Sequence, residues 1–108
     1  MNQNLDKYIT HIQGEYKGEI ILFSLSNCAR CNKVKKALNE MGVEYYYIDI
    51  DHADQKDRPR LMETVEKWNP ACIFPTVVIN KTTCITGDPS RITESLEEYC
   101  LPVVRTKN

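Results

Sequence analysis

The stretch IILFSLSNCARCNKVKKALNEMG, from Ile20 to Gly42, decides the fold. With Glu19 ahead of it, the segment EIILFSL is a nearly continuous apolar run of strand length, the pattern of a strand buried on both faces in the middle of a sheet. Beyond the cysteines, Cys31, Val34, Ala37, Leu38 and Met41 form one apolar helical stripe, and Gly42 stands where a helix C-terminal glycine belongs. A strand therefore hands over to a helix, and Cys28 and Cys31 sit at the junction. Three readings are open for such a pair: a redox couple, half of a metal site, or two small core side chains.

Working outward, VEYYYIDID (43–51) is rich in β-branched and aromatic residues and reads as a second strand. So short a reach after a crossover helix favours a parallel pair and a βαβ unit. HADQKDR (52–58) is polar and reads as an exposed, solvated loop. Leu61, Val65 and Trp68 then space out as a helix ending at Asn69-Pro70. FPTVVINKTTCIT (74–86) divides into two short strands around a polar turn at Asn80 and Lys81, an antiparallel hairpin. Asp88 caps a last helix with Pro89 in its first turn; Ile92, Leu96, Tyr99 and Cys100 supply its inner face, and Pro102 ends it. At the other end, Leu5, Tyr8, Ile9 and Ile12 fall at helical spacing before Gly14, which predicts a short leading helix. The order α-βαβ-α-ββ-α belongs to an α/β layered domain with four strands. It divides into an N-terminal helical extension (1–18), the main domain (19–101) and a C-terminal tail (102–108).

Size and charge narrow the function. A chain of 108 residues is one domain with room for a real core. Fourteen basic against fifteen acidic residues leave a net charge of −1 and no electrostatic case for a nucleic-acid partner. The N-terminal segment lacks a basic region followed by an apolar one, and no apolar run approaches bilayer length, so no membrane association and a cytoplasmic location are expected. Five cysteines, an odd number without an export signal, argue for reduced thiols rather than a secreted disulfide framework.

At the strand-to-helix junction the Cys28 sulfur faces unpaired backbone N–H groups and the positive end of the helix dipole. Such placement lowers cysteine pKa in C-x-x-C motifs from about 8.5 to roughly 3.5 to 7.5, and only the thiolate attacks disulfides. Cys28 is thus the expected nucleophile. Cys31, about one turn on and within the apolar stripe, is the expected resolving thiol, more sheltered but able to reach its partner. Arg30, with Lys33, Lys35 and Lys36 just after, adds positive potential, the solvated lysines only a little.

CARC after the first strand, FPT opening the third and TGD before the last helix occur in an order that resembles the glutaredoxins, within the thioredoxin-like fold. The resemblance spans Glu19 to Tyr99. It implies a cis peptide bond at Pro75 beside the active cysteines, and backbone groups of Phe74 offered to the bound thiol substrate. It further implies a substrate or glutathione site made of Phe74, Pro75, Thr76, Gly87 and Asp88 with Arg30 and Lys33. The implied activity is reduction of protein or glutathione mixed disulfides by a monomer. No cofactor is required, glutathione serves as possible co-substrate, and a reductase of unspecified type resets the pair.

The departures from the family pattern are specific. Ala29 and Arg30 replace the usual proline and aromatic residue between the cysteines. Thr86 and Gly87 stand for a glycine pair, and Ser90 is nearest the place of an acidic residue that holds the glutathione amine. Ser24 and Asn27 occupy the stretch where the family offers a lysine to the glycyl carboxylate, leaving Lys33 or Arg58 to substitute. These changes leave room for a redoxin served by a thioredoxin-type or ferredoxin-linked reductase. Because Ala29 replaces a proline, they also leave room for an iron-sulfur protein with Cys28 as cluster ligand. Cys72, Cys84 and Cys100 have no C-x-x-C partner and read as packing residues. His11 and His52 read as surface positions and Trp68 as a core or rim aromatic.

Overall fold

A computed structural model describes residues 2–100. After a 3-10 turn at Asn2–Tyr8 come β1 (Ile9–Ile12), β2 (Ile20–Ser24), α1 (Ala29–Met41), β3 (Tyr45–Asp49), a 3-10 turn at Ile50–His52, α2 (Arg58–Trp68), β4 (Thr76–Ile79), β5 (Thr83–Thr86) and α3 (Pro89–Cys100). The strands form one mixed sheet in the order β1-β3-β2-β4-β5. β2 and β3 run parallel, as the intervening helix requires, and every other pairing is antiparallel.

Side-chain alternation along β2 builds two cores. Ile20 and Leu22 join Val34 and Leu38 of α1, Ile92 and Leu96 of α3, and Val77, Ile79 and Ile85 on one face of the sheet. Phe23 joins Ile48, Val78, Leu61 and Val65 of α2, and Leu5 of the N-terminal turn on the other. The continuous apolar run is thus explained by helices on both faces. Trp68 packs at the edge of the second core, as expected. Gly42 ends α1 in the left-handed region at φ 71°, its N–H donating to the Asn39 carbonyl at 3.1 Å.

The leading helix is corrected. Only Asn2–Tyr8 turns helically, as a 3-10 segment, while Ile9–Ile12 is a fifth strand paired antiparallel to β3, Ile9 opposite Ile48 and Ile12 opposite Tyr45. Without it the outer backbone groups of β3 would lack partners, and this non-local demand overrides a weak 3.6-residue pattern. Gly14 accordingly is not a helix stop. A Cβ there would lie 2.5 Å from the Val43 carbonyl carbon, because the chain crosses the backbone of 43–44, where Glu15 N–H donates to the Gly42 carbonyl and Glu44 N–H to the Glu15 carbonyl, both at 2.9 Å.

The segment 52–58 is exposed at His52, Asp54, Gln55, Lys56 and Arg58, as expected, with two exceptions. Ala53 and Asp57 within it are buried, and Asp57 accepts a 2.6 Å hydrogen bond from the Tyr8 hydroxyl, pinning the N-terminal turn over α2. The expected helix stop at Pro102, the tail 102–108 and the Cys100 side chain lie outside the described residues.

Candidate active site

Three segments converge at the C-terminal end of β2: the start of α1, the loop before β4 and the turn before α3. Cys28 is the N-cap of α1, with extended backbone at φ −125° and ψ 114°, and its half-buried sulfur accepts the Cys31 N–H at 3.2 Å. The cysteine thus takes the place that serine or aspartate fills at most helix starts, satisfying an orphan donor with sulfur. Cys31 is fully buried one turn on. Burial, with the Cys28 hydrogen bond adding to it, pushes the Cys31 thiol up to about 12.

That shift has a stability consequence. In the unfolded chain a cysteine ionises near about 8.5, whereas the folded protein holds the Cys31 proton to about 12. The native state therefore binds more protons across this window. Its contribution is complete below about pH 8.5 and is lost as pH rises toward the folded value. Tyr45, raised by burial to about 12, has the same sign at higher pH. Urea midpoints of the reduced protein between pH 7.5 and 10 should fall more steeply than those of a Cys31→Ser variant, a difference in which Tyr45 cancels. Parallel slopes would contradict it.

The Phe74–Pro75 peptide is cis. Phe74 is half-buried against the second core, and its carbonyl accepts a 3.1 Å hydrogen bond from the Arg30 guanidinium, so the residue inside the motif ties the cysteine turn to the proline loop. Thr76 follows the cis proline as the first residue of β4. Its side chain is fully buried, donating to the Ile73 carbonyl at 2.6 Å and accepting from Asn69 Nδ2 at 3.0 Å, so it supports the loop from beneath. Thr86 donates to the Pro75 carbonyl at 3.2 Å, joining the loop to the turn that carries Gly87 and Asp88. Asp88 caps α3, one carboxylate oxygen accepting the Arg91 N–H at 3.0 Å, as its sequence position predicts.

The basic residues fall apart spatially. Lys33 lines an open cleft of about 460 Å³ between α1 and α3, together with Ser90 and the acidic Glu94 and Glu97. Arg58 spends its guanidinium on the carbonyls of Ala53 at 3.0 Å and Asp51 at 3.1 Å. Ser24 is buried and donates to Asp49. Cys72 and Cys84 are half-buried free thiols, Cys72 beside the second core at φ 53°. His11 stacks on Tyr46 and lies 2.6 Å from a Glu44 oxygen at the surface, and His52 is exposed. Among the described residues, no three His, Cys, Asp or Glu side chains group to hold a metal, and the donor set of one chain does not fit a four-ligand cluster.

Sequence reading missed Asn69. This buried C-cap of α2 donates to the Ile73 carbonyl at 3.2 Å as well as to Thr76, so one amide fixes both ends of the loop bearing Phe74 and Pro75. Its only sequence signal is its place before Pro70. Asn69→Ala removes the amide's bonds to the Ile73 carbonyl and to the buried Thr76 hydroxyl, while that carbonyl keeps its Thr76 donor, an expected loss of about 2 kcal/mol. Chemical denaturation measures it, and a loss under about 0.5 kcal/mol would count against this role. A second omission is the tether of the Ser26 amide and hydroxyl to the Asp51 carboxylate, which holds the turn before Cys28 and keeps that carboxyl below its usual range.

A C-x-x-C pair capping the first long helix, beside a cis-proline loop on a mixed sheet with helices on both faces, defines a thioredoxin-like fold of the thiol oxidoreductase class. The glutaredoxin family model matches residues 20–84, and the chain belongs to the glutaredoxin family. It is similar to the crystal structure of methanoredoxin from Methanosarcina acetivorans, at 29% identity over 81% of this chain and 88% of that one, TM-score 0.74. A glutaredoxin from Methanosarcina mazei Go1 shares 36% identity over 82% of this chain and 87% of its own, TM-score 0.71. The glutaredoxin grx-1 from Archaeoglobus fulgidus shares 26% identity over 76% and 85%, TM-score 0.67. No curated protein sequence matches the chain. Among the described residues no helix is long and apolar enough to cross a membrane.

Proposed function

We propose that the protein is a dithiol thiol-disulfide oxidoreductase of glutaredoxin type. The Cys28 thiolate attacks one sulfur of a substrate disulfide, forming a mixed disulfide as the other substrate sulfur leaves as a thiolate. Cys31 then attacks the Cys28 sulfur. The bond to substrate breaks, the substrate departs with the Cys31 proton as a thiol, and a Cys28–Cys31 disulfide remains. Two electrons have passed to the substrate, and an external reductant returns them. The carrying observation is the asymmetry of the pair: Cys28 half-buried at the helix N-cap with an amide on its sulfur, Cys31 fully buried behind it. Phe74, Pro75, Gly87 and Asp88 frame the approach to Cys28. The chemistry needs no bound cofactor, and a cytoplasmic monomer acting on protein disulfides or glutathione mixed disulfides is the working form.

Glutathione is the first candidate reductant. A different thiol or a dedicated reductase is the second, supported by the two basic residues best placed to replace the missing lysine. Arg58 is spent on backbone carbonyls, Lys33 shares its cleft with Glu94 and Glu97, and Arg30 donates to the Phe74 carbonyl. The test is reduction of the oxidised protein by glutathione coupled to glutathione reductase, beside reduction by a thioredoxin-type reductase. Rapid turnover with glutathione supports the first reading, and turnover with the reductase alone supports the second. Failure of Cys31→Ser to accumulate a mixed disulfide would overturn the dithiol mechanism itself.

A further inference from the structure

The described residues hold one ion pair in which both side chains are more than four-fifths buried. Lys35 Nζ lies 3.0 Å from Asp49 Oδ1, with side-chain exposures of 17% and 11%. Asp49 ends β3 directly opposite Ser24 in the parallel register, and the fully buried Ser24 hydroxyl donates to the same carboxylate. The Lys35 ammonium also sits 4.1 Å above the Tyr47 ring, so its position is set from two sides. A buried pair of this kind is weak evidence for stability, because desolvating two charges offsets their attraction.

Its location supplies a reason. Lys35 follows Cys31 by four residues on α1, so the two side chains are neighbours on one helix face. Burial raises the Cys31 thiol, the Cys28 sulfur accepts the Cys31 N–H at 3.2 Å, and the Lys35 charge works against that rise. The resolving step is where that matters. As the Cys31 sulfur attacks the Cys28 mixed disulfide, it sheds its proton to the departing substrate sulfur, and negative charge builds on a sulfur without access to water.

We propose that the Lys35 ammonium, held in place by Asp49 and Ser24, stabilises the charge developing on Cys31 during resolution of the mixed disulfide. Lys35 is a positioning charge for the second half-reaction, and Asp49 and Ser24 are residues that aim it. The inference rests on the dithiol mechanism proposed above. The first half-reaction, attack by Cys28, does not depend on it, and this asymmetry separates an electrostatic role from a merely structural one.

The test uses the reduced full chain carrying Cys72→Ser, Cys84→Ser and Cys100→Ser, so that Cys28 and Cys31 are its two thiols, and an aromatic disulfide whose thiol is coloured, 5,5′-dithiobis(2-nitrobenzoate). Attack by Cys28 releases one coloured thiolate, and resolution by Cys31 releases the second. In stopped flow, Lys35→Met should leave the first phase within about twofold and slow the second about tenfold, and Lys35→Arg should restore most of the loss. An unchanged second phase, or equal slowing of both phases, would overturn the proposal. Should Lys35→Met fail to fold by circular dichroism, Asp49→Asn keeps the ammonium but releases its anchor. Slowing of the second phase alone then supports the role, and its absence overturns it. Cys31→Ser must lose the second phase entirely; if it does not, the dithiol mechanism fails rather than the role of Lys35.

Discussion

Replacing Cys28 by Ser is expected to lower disulfide turnover by at least about a thousandfold, to the level of the uncatalysed exchange, while leaving the fold intact. The nucleophile must ionise and then form a bond to sulfur that can be broken again. A serine hydroxyl does neither near neutral pH, although it fills the N-cap position as well as any residue. Cys31 cannot take over, because its sulfur is fully buried and burial holds its thiol up at about 12. Coupled turnover with a small mixed disulfide, beside circular dichroism of the same sample, measures both halves of the expectation. Retention of a tenth of the activity would move the nucleophile elsewhere in the molecule.

The largest structural effect is expected at a residue far from the chemistry. Gly14→Ala places a methyl group 2.5 Å from the Val43 carbonyl carbon, 2.6 Å from its oxygen and 2.8 Å from the Glu44 nitrogen. All three atoms are backbone, so no flexible side chain can move aside. The hydrogen bonds of Glu15 to this crossing must stretch, or the segment leading out of β1 must lift. An overpacking cost of about 3 kcal/mol follows, at the upper end for one added carbon. Gly42→Ala is the matched control, since its Cβ meets nothing within 4 Å and the cost is about 1 kcal/mol for left-handed backbone alone. Urea denaturation of both variants tests the contrast, and a Gly14→Ala variant no worse than Gly42→Ala would refute the packing account.

The two glycines mark a boundary in what a linear reading reaches. Gly42 is legible because a helix stripe ends at it, a signal contained within a few neighbouring residues. Gly14 also follows an apolar spacing, yet its role comes from Val43, which lies on another segment. The site divides in the same way. Cys28 and Cys31 announce themselves through spacing and through the strand-to-helix switch. The Asp88 cap and the loop ahead of Pro75 are equally local.

The amino-acid sequence by itself determined the βαβ core around Ile20–Gly42, the hairpin, the last helix and the placement of a cysteine pair at a helix start. Each of these depends on periodicity or chemistry within about a dozen residues. The tertiary structure alone decided that Ile9–Ile12 pairs as an edge strand, that Thr76 faces inward, that Arg30 reaches the Phe74 carbonyl and that Lys35 meets Asp49. These are contacts between segments distant in the chain. Their energy depends on backbone groups that need partners and on charges that lose water only once the sheet has closed, and neither condition exists in any short stretch of sequence.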